Sequence, residues 1–308
     1  MSLKYPNLFI PGAAKSGTST LHELLNLHPY ISMSSDKEPF YWVKESFDSY
    51  SESDKDNYLS LFESGPEIQY KGESSTSYML FPHFIERIKQ DSATDLKFIF
   101  ILRNPIDRLY SHYWYIKGLG DESLSLKEAI LHDKHEEPTI ASHHKNGRYK
   151  HYFQYGLYGK WLTQFYEAFD RNQIKIIIFE DFKKNPLQIL NSCFDFLGLE
   201  AVEAIPELHS NETVLLKYPK LYSGFQNLTK GRIKLVKPLN KFVPKPIKTF
   251  LKKDVSNMIV ETTKTSKKYP ELTRNERDWI KRIYLDDFKQ LKTLTQLNFT
   301  QWKDFNQL

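Results

Sequence analysis

The chain has 308 residues, 40% hydrophobic and 26% charged, which excludes an intrinsically disordered polypeptide and leaves ample material for a core. Its formal net charge of +5 suits an anionic ligand, whereas a nucleic-acid binder would need a concentrated patch or a recognisable motif, so no nucleic-acid partner is expected. Tyr, Phe and Trp make up 15% of the residues, expected mainly in the core and its rim. Cys193 is the one cysteine. It cannot close an intramolecular disulfide, and it lies in the amphipathic run Leu190 to Leu199, so a buried, inert thiol and a reducing compartment are expected. Met1-Ser-Leu-Lys-Tyr-Pro6 carries no apolar signal core and no window reaches a membrane span, so a soluble, cytoplasmic protein is expected.

In chain order, strand-length apolar runs alternate with helical patterns, which predicts a parallel sheet wrapped by helices. A strand over Asn7–Pro11 leads through a Gly-containing turn to a helix over Thr18–Leu27. Strands at Tyr30–Met33 and Gln69–Gly72 follow, then a helix at Pro82–Lys89. The run Lys97–Leu102 is apolar from Phe98 onward, as a strand buried on both faces should be. Helices at Pro105–Lys117 and Tyr158–Phe169 flank the remaining span, and a fifth strand covers Lys175–Phe179. Pro186–Leu197 reads as a helix stopped by Gly198 as C-cap. A long helix at Arg274–Leu294 carries Trp279, Ile283, Phe288 and Leu291 at helical spacing. No linker divides the chain, so one domain over 1–308 is expected, with a basic, partly helical insertion around 200–260.

The turn between the first strand and helix reads Pro11-Gly-Ala-Ala-Lys-Ser-Gly-Thr-Ser-Thr20. Backbone N–H groups at such a helix start, with the positive end of its dipole, suit a phosphate or another oxyanion. Gly12 and Gly17 have the spacing of a Walker A loop, but Thr18 stands where its lysine belongs and Lys15 lies inside the loop. That displacement argues against an ordinary ATPase or kinase. The strand Lys97–Leu102 then ends in Arg103. A Walker B strand would present an Asp to magnesium at that place. Arginine instead grips phosphate directly, so the site reads as built for negative charge without a metal. Arg103 pairing with Asp107 or with a helix-terminal carbonyl is the plainer alternative.

Together, Lys15-Ser-Gly-Thr-Ser19 and the apolar strand followed by Arg103-Asn-Pro105 and Tyr110-Ser111 resemble the sulfotransferases that use 3′-phosphoadenosine 5′-phosphosulfate (PAPS). Tyr155-Gly-Leu-Tyr-Gly-Lys-Trp161, Phe179-Glu-Asp-Phe182, Asn185-Pro186, Phe196-Leu-Gly-Leu199 and the C-terminal helix ending in Trp302 are similar to later landmarks of that family. The resemblance implies a three-layer α/β domain with a central parallel sheet of about five strands and the topology of P-loop NTPases. It also implies transfer of a sulfuryl group from PAPS to an acceptor hydroxyl, with no metal required. In this reading Lys15 neutralises the bridging oxygen as the bond to sulfur breaks. Ser16, Gly17, Thr18, Ser19 and Thr20 hold the 5′-phosphate, and Arg103 and Ser111 hold the 3′-phosphate. Lys267 and Lys268, in Thr265-Ser-Lys-Lys-Tyr-Pro270, resemble a late loop that closes over the cofactor phosphate.

An acceptor hydroxyl needs a general base. Glu38, in Ser35-Asp-Lys-Glu-Pro-Phe-Tyr-Trp42, resembles the base-bearing Lys-Glu-x-x-Phe segment of carbohydrate sulfotransferases, so a carbohydrate acceptor is expected. Glu73 is the rival carboxylate, because it also follows a sheet strand. No His occurs between Lys71 and Pro82, which favours a carboxylate base over the histidine of the phenol-sulfating branch. The carbohydrate branch often has Glu-Lys-[Ser/Thr] where this chain has Glu73-Ser-Ser75, so Lys37 or another residue must replace that second lysine, or Lys15 acts alone. His143-His144 lacks a third ligand at metal spacing, and no metal site is expected. Residues 230–253 carry nine Lys/Arg and no acid among apolar residues, which reads either as a solvated face or as a surface for a glycan, a lipid-linked acceptor or a membrane. Two other functions stay open at this point. One is a P-loop kinase of small molecules or nucleotides; the other is a non-catalytic binder of phosphorylated or sulfated ligands.

Overall fold

The computed structural model describes residues 5–91, 95–139, 150–207, 215–216, 264–265 and 269–306. The chain divides into two compact units. The larger comprises residues 1–109, 133–209 and 273–308 and contains the sheet; the smaller comprises residues 110–132 and 210–272.

In the larger unit five strands form one parallel sheet in the order β2-β3-β1-β4-β5. They are β1 (Leu8–Phe9), β2 (Ile31–Met33), β3 (Tyr70–Glu73), β4 (Lys97–Leu102) and β5 (Ile174–Ile178). Strand β1 is central, with Leu8 opposite Gly72 on one side and Lys97 on the other. All five predicted strands are present, and the sheet has the expected α/β, parallel character. Among the described residues the α-helices are α1 (Thr18–Leu25), α2 (Glu52–Leu59), α3 (Pro82–Asp91), α4 (Pro105–Gly118), α5 (Leu126–Lys134), α6 (Tyr158–Ala168), α7 (Phe179–Lys184), α8 (Pro186–Phe196) and α9 (Arg274–Thr295).

Alternation along the strands creates the layers, because successive side chains leave a strand on opposite faces. Leu8, Ile10, Ile99, Ile101 and Ile177 join Leu21, Leu24 and Leu25 of α1 and Leu190, Cys193 and Phe194 of α8 in one apolar core. Phe9, Phe98 and Phe100 face the other way and pack on rings from α3 and α6. Phe9 meets Phe84 at 5.4 Å, and Phe165 meets Phe98 at 5.5 Å and Phe100 at 4.8 Å. Cys193 is fully buried in the first core, and burial pushes its thiol up to about 12, which accounts for the expected inertness.

Helix ends follow local chemistry. Pro186 begins α8 at a position where its missing N–H costs nothing. Gly198 takes the left-handed φ of 71° beyond α8, with Gly198 N–H bonded to Asp195 O and Leu199 N–H to Phe194 O, so the expected glycine stop is realised. Helix α1 is shorter than expected, ending at Leu25 with Asn26 as C-cap. Three helices lie outside the sequence expectation: α2, α5 and α7. In α2 only Tyr58 is buried, so no apolar period marks it; its signal is the capping box Ser51/Asp54.

The smaller unit contains most of α4 and α5 and the antiparallel pair β6 (Leu215–Leu216) and β7 (Lys264–Thr265). Within it Tyr110 donates to the Pro270 carbonyl at 2.6 Å, and Tyr269 stacks on Trp114 at 5.7 Å. Lys267, Lys268, His143, His144 and the basic stretch 230–253 lie outside the described residues. Among the described residues no helix is long and apolar enough to cross a membrane.

Candidate active site

The carboxyl edge of the sheet carries the sequence motifs, as expected for an open parallel sheet. Strand β1 leads into the loop Gly12–Gly17, held between its neighbours. Gly12 O accepts from Ile101 N–H, Ala13 N–H donates to Ile101 O, and Met79 N–H donates to Pro11 O. Gly17 caps α1 with φ 87°, and a Cβ there would sit 3.0 Å from the Phe179 ring, so glycine is required twice over. No side chain caps the first turn of α1 and no acid occupies it. The hydroxyls of Thr18, Ser19 and Thr20 therefore do not serve as its cap. Ser16 is completely buried and its hydroxyl lacks a hydrogen-bond partner, although it lies close enough to act on the Tyr158 phenol. A buried polar atom left in this state costs free energy unless a ligand supplies its partner.

Cations converge on the loop. Lys15 adopts a left-handed φ of 66°, and its carbonyl accepts from the Arg103 guanidinium at 3.3 Å. Burial first, then the charges of Arg103 and Lys37, lower the Lys15 ammonium to about 8, with Glu38 acting in the opposite direction. The alternative pairing of Arg103 with Asp107 does not occur: Asp107 is bonded by Arg277 at 2.8 Å. Arg103 instead lies over the Phe179 ring at 5.1 Å, and its own carbonyl accepts from Tyr158 at 2.8 Å. The turn after it is fixed by Glu180, which accepts from Asn104 N–H at 3.0 Å and from the Trp302 indole at 2.9 Å. Asp304 closes this cluster by accepting from Asn104 and Arg277. These landmarks thus act as a buttress for Arg103. Ser111, on α4, is buried and belongs to the smaller unit.

The two candidate carboxylates occupy different environments. Glu38 is one-third exposed, accepts from Thr76 Oγ1 at 2.6 Å and lies 3.7 Å from the Lys37 ammonium. Its φ of 59° and that of Phe40, 52°, both fall in the left-handed region that favours glycine. Glu73 has no exposed surface and accepts three hydroxyls: Tyr58 at 2.5 Å, Ser75 at 2.8 Å and Tyr78 at 2.9 Å. Burial raises its carboxyl to about 7 in spite of those donors and the field of Lys44.

One further residue had no sequence signal beyond its place on the buried face of α1. His22 is held by Ser74 Oγ at 2.8 Å and by the Ser34 carbonyl at 3.1 Å. A carbonyl only accepts, so Nε2 carries the proton and Nδ1 accepts from Ser74. Burial and the nearby Lys37 hold this imidazole down to about 4, so it is neutral at ordinary pH.

Residues 5–231 match the family model described as the sulfotransferase domain. Human carbohydrate sulfotransferase 15 (Homo sapiens) is 27% identical over 269 residues, covering 70% of this chain and 46% of the relative. Bifunctional heparan sulfate N-deacetylase/N-sulfotransferase 2 of Bos taurus is 25% identical over 203 residues, covering 64% and 22%. The chain thus spans about half the length, or less, of these curated relatives. The crystal structure of a sulfotransferase from Alicyclobacillus acidocaldarius shares the fold, with a TM-score of 0.66 at 23% identity over 97% of this chain and 99% of that one. Matched by the family model from the first strand through α8 and beyond, the chain belongs to the sulfotransferase-domain family.

Proposed function

We propose that this protein transfers a sulfuryl group from PAPS to an acceptor hydroxyl, and that the acceptor is a carbohydrate. One observation carries the reading: the Lys15 ammonium, lowered first by burial and then by the charges of Arg103 and Lys37, lies in a cluster of like charges at a helix start that no side chain caps. Mutual repulsion of this kind is relieved by a polyanion. The unpartnered Ser16 hydroxyl fits the same ligand. PAPS supplies an activated sulfuryl group and two phosphates. The N–H groups of Ser16, Gly17, Thr18, Ser19 and Thr20 and the hydroxyls among them serve the 5′-phosphate, and Arg103 serves the 3′-phosphate. Lys15 stabilises the charge that develops on the leaving oxygen, and Lys37 fills the place of the second lysine common in the carbohydrate branch.

Glu38 is the general base of this reading. It is accessible and faces the cations through Lys37, whereas both oxygens of Glu73 are occupied and shielded from any acceptor. Thr76, by donating to Oε1, fixes one carboxylate oxygen and leaves Oε2 to take the acceptor proton. The names of the two curated relatives refer to carbohydrate and heparan sulfate, which supports the acceptor class. The test is calorimetric titration with adenosine 3′,5′-bisphosphate against ATP. Preference for the bisphosphate is expected; binding of ATP alone would contradict the donor assignment.

A further inference from the structure

Glu38 and Phe40 both adopt positive φ without being glycine, so the segment between β2 and α2 holds a conformation that its own residues disfavour. Such backbone persists only where the surroundings over-determine it. Three N–H groups of this segment show what does so. Phe40 N–H donates to Ser75 Oγ at 3.1 Å, Trp42 N–H to the Tyr78 hydroxyl at 3.4 Å, and the Trp42 indole to the Tyr58 hydroxyl at 3.0 Å. Each of these three hydroxyls then donates to the same carboxylate, that of Glu73.

We infer that Glu73 is a positioning residue: through Ser75, Tyr78 and Tyr58 its carboxylate fixes the strained Glu38–Trp42 backbone, and with it the base. The inference rests on the reading of Glu38 given above, but its structural half stands independently. The direction of every bond depends on one charge state. A hydroxyl that accepts an N–H must send its own proton elsewhere, and an ionised carboxylate takes all three. A protonated Glu73 must itself donate, which turns one of the three contacts into donor against donor. The groups facing this carboxylate are Tyr58 from α2, Ser75 and Tyr78 from the turn after β3, and the Lys44 ammonium at longer range. Lys44 itself is held below its usual range by burial, with Glu73 acting to raise it. Since burial places the Glu73 carboxyl at about 7, the hub is half-protonated near neutrality and complete above it.

Ser75→Ala removes one link and spares both tyrosine bonds; Glu73→Gln removes the charge. Amide hydrogen exchange of the intact protein at pH 8, read on peptides covering 38–43, tests the hub without assaying activity. Loss of one buried hydrogen bond should speed exchange there by roughly five- to tenfold in Ser75→Ala, with α1 and β4 unchanged and adenosine 3′,5′-bisphosphate still bound. Turnover supplies a second readout. The acid limb of kcat should move to higher pH in Ser75→Ala, because the carboxylate has lost a donor that favoured its ionised form. Unchanged exchange over 38–43, or acceleration spread equally over α1 and β4, would overturn the inference. Glu38→Gln separates the two claims: full turnover in that variant removes the base and leaves the exchange result to judge the hub.

Discussion

The loop after β1 and the hub after β3 lie at the same sheet edge and are built on opposite rules. At the loop, cations repel one another, a helix start has no side-chain cap and a buried hydroxyl lacks a partner. At the hub, a buried carboxylate is matched by three hydroxyl donors, each engaged in turn with the neighbouring segment. An incomplete cationic cluster is a place prepared for a ligand, whereas a completed acidic one is prepared to hold protein. The contrast separates the two carboxylates by environment: Glu38 is one-third exposed and Glu73 fully buried, which suits Glu38 to the proposed role of base and Glu73 to that of its support.

The largest expected effect follows from that division. Glu38→Gln should lower kcat by about 10²–10⁴-fold with nucleotide affinity retained, the range for loss of a general base. Lys15→Met should lower kcat by about 10²-fold, as for removal of one preorganised transition-state partner, and should weaken bisphosphate binding too, since the same ammonium meets the ligand. Gly17→Ala forces a side chain into left-handed backbone against Phe179, at a cost of about 1–3 kcal/mol, measurable as a lower Tm.

Smaller effects come from protons. Bisphosphate binding favours the protonated Lys15, so affinity should weaken above pH 8, by at most about tenfold per pH unit, and calorimetry should register proton uptake there. Stability offers a sharper comparison. Glu73 is raised by the fold from 4.5 to about 7, so its contribution is present at low pH and lost as pH rises through that window. His22 is lowered from 6.5 to about 4, so its contribution is present above 6.5 and lost as pH falls towards 4. The two oppose each other between pH 4.5 and 6.5. Glu73→Gln should therefore leave a protein that loses stability on acidification over that range, and His22→Gln one that gains it, both read from urea midpoints.

The loop was legible in the sequence because its geometry is local: strand, glycine turn, lysine and helix start follow within fifteen residues, and Arg103 sits at the end of an apolar strand. The sheet was legible for the same reason, since Phe98 to Leu102 is an apolar run buried at every residue and Ile174 to Ile178 is an aliphatic run broken only by Lys175. The hub was not. Tyr58 lies on a polar helix with no apolar period, and Phe40, Trp42, Glu73, Ser75 and Tyr78 come together only once β3 lies beside β1 and β2. Glu73 stood out merely as a carboxylate beyond a strand, which fits a base and an anchor equally. The buttress of Glu180, Trp302, Asp304 and Arg277 behind Arg103 was hidden in the same way, because its partners are more than seventy residues apart from Asn104.

The most direct measurement is transfer of radiolabelled sulfuryl from PAPS to a panel of polysaccharides by the wild-type protein and by Glu38→Gln. The account predicts label on a carbohydrate with the wild type, and at least about 10²-fold less with the variant, while both bind adenosine 3′,5′-bisphosphate alike. Label that stays on the donor with every acceptor, or a variant as active as the wild type, would contradict it.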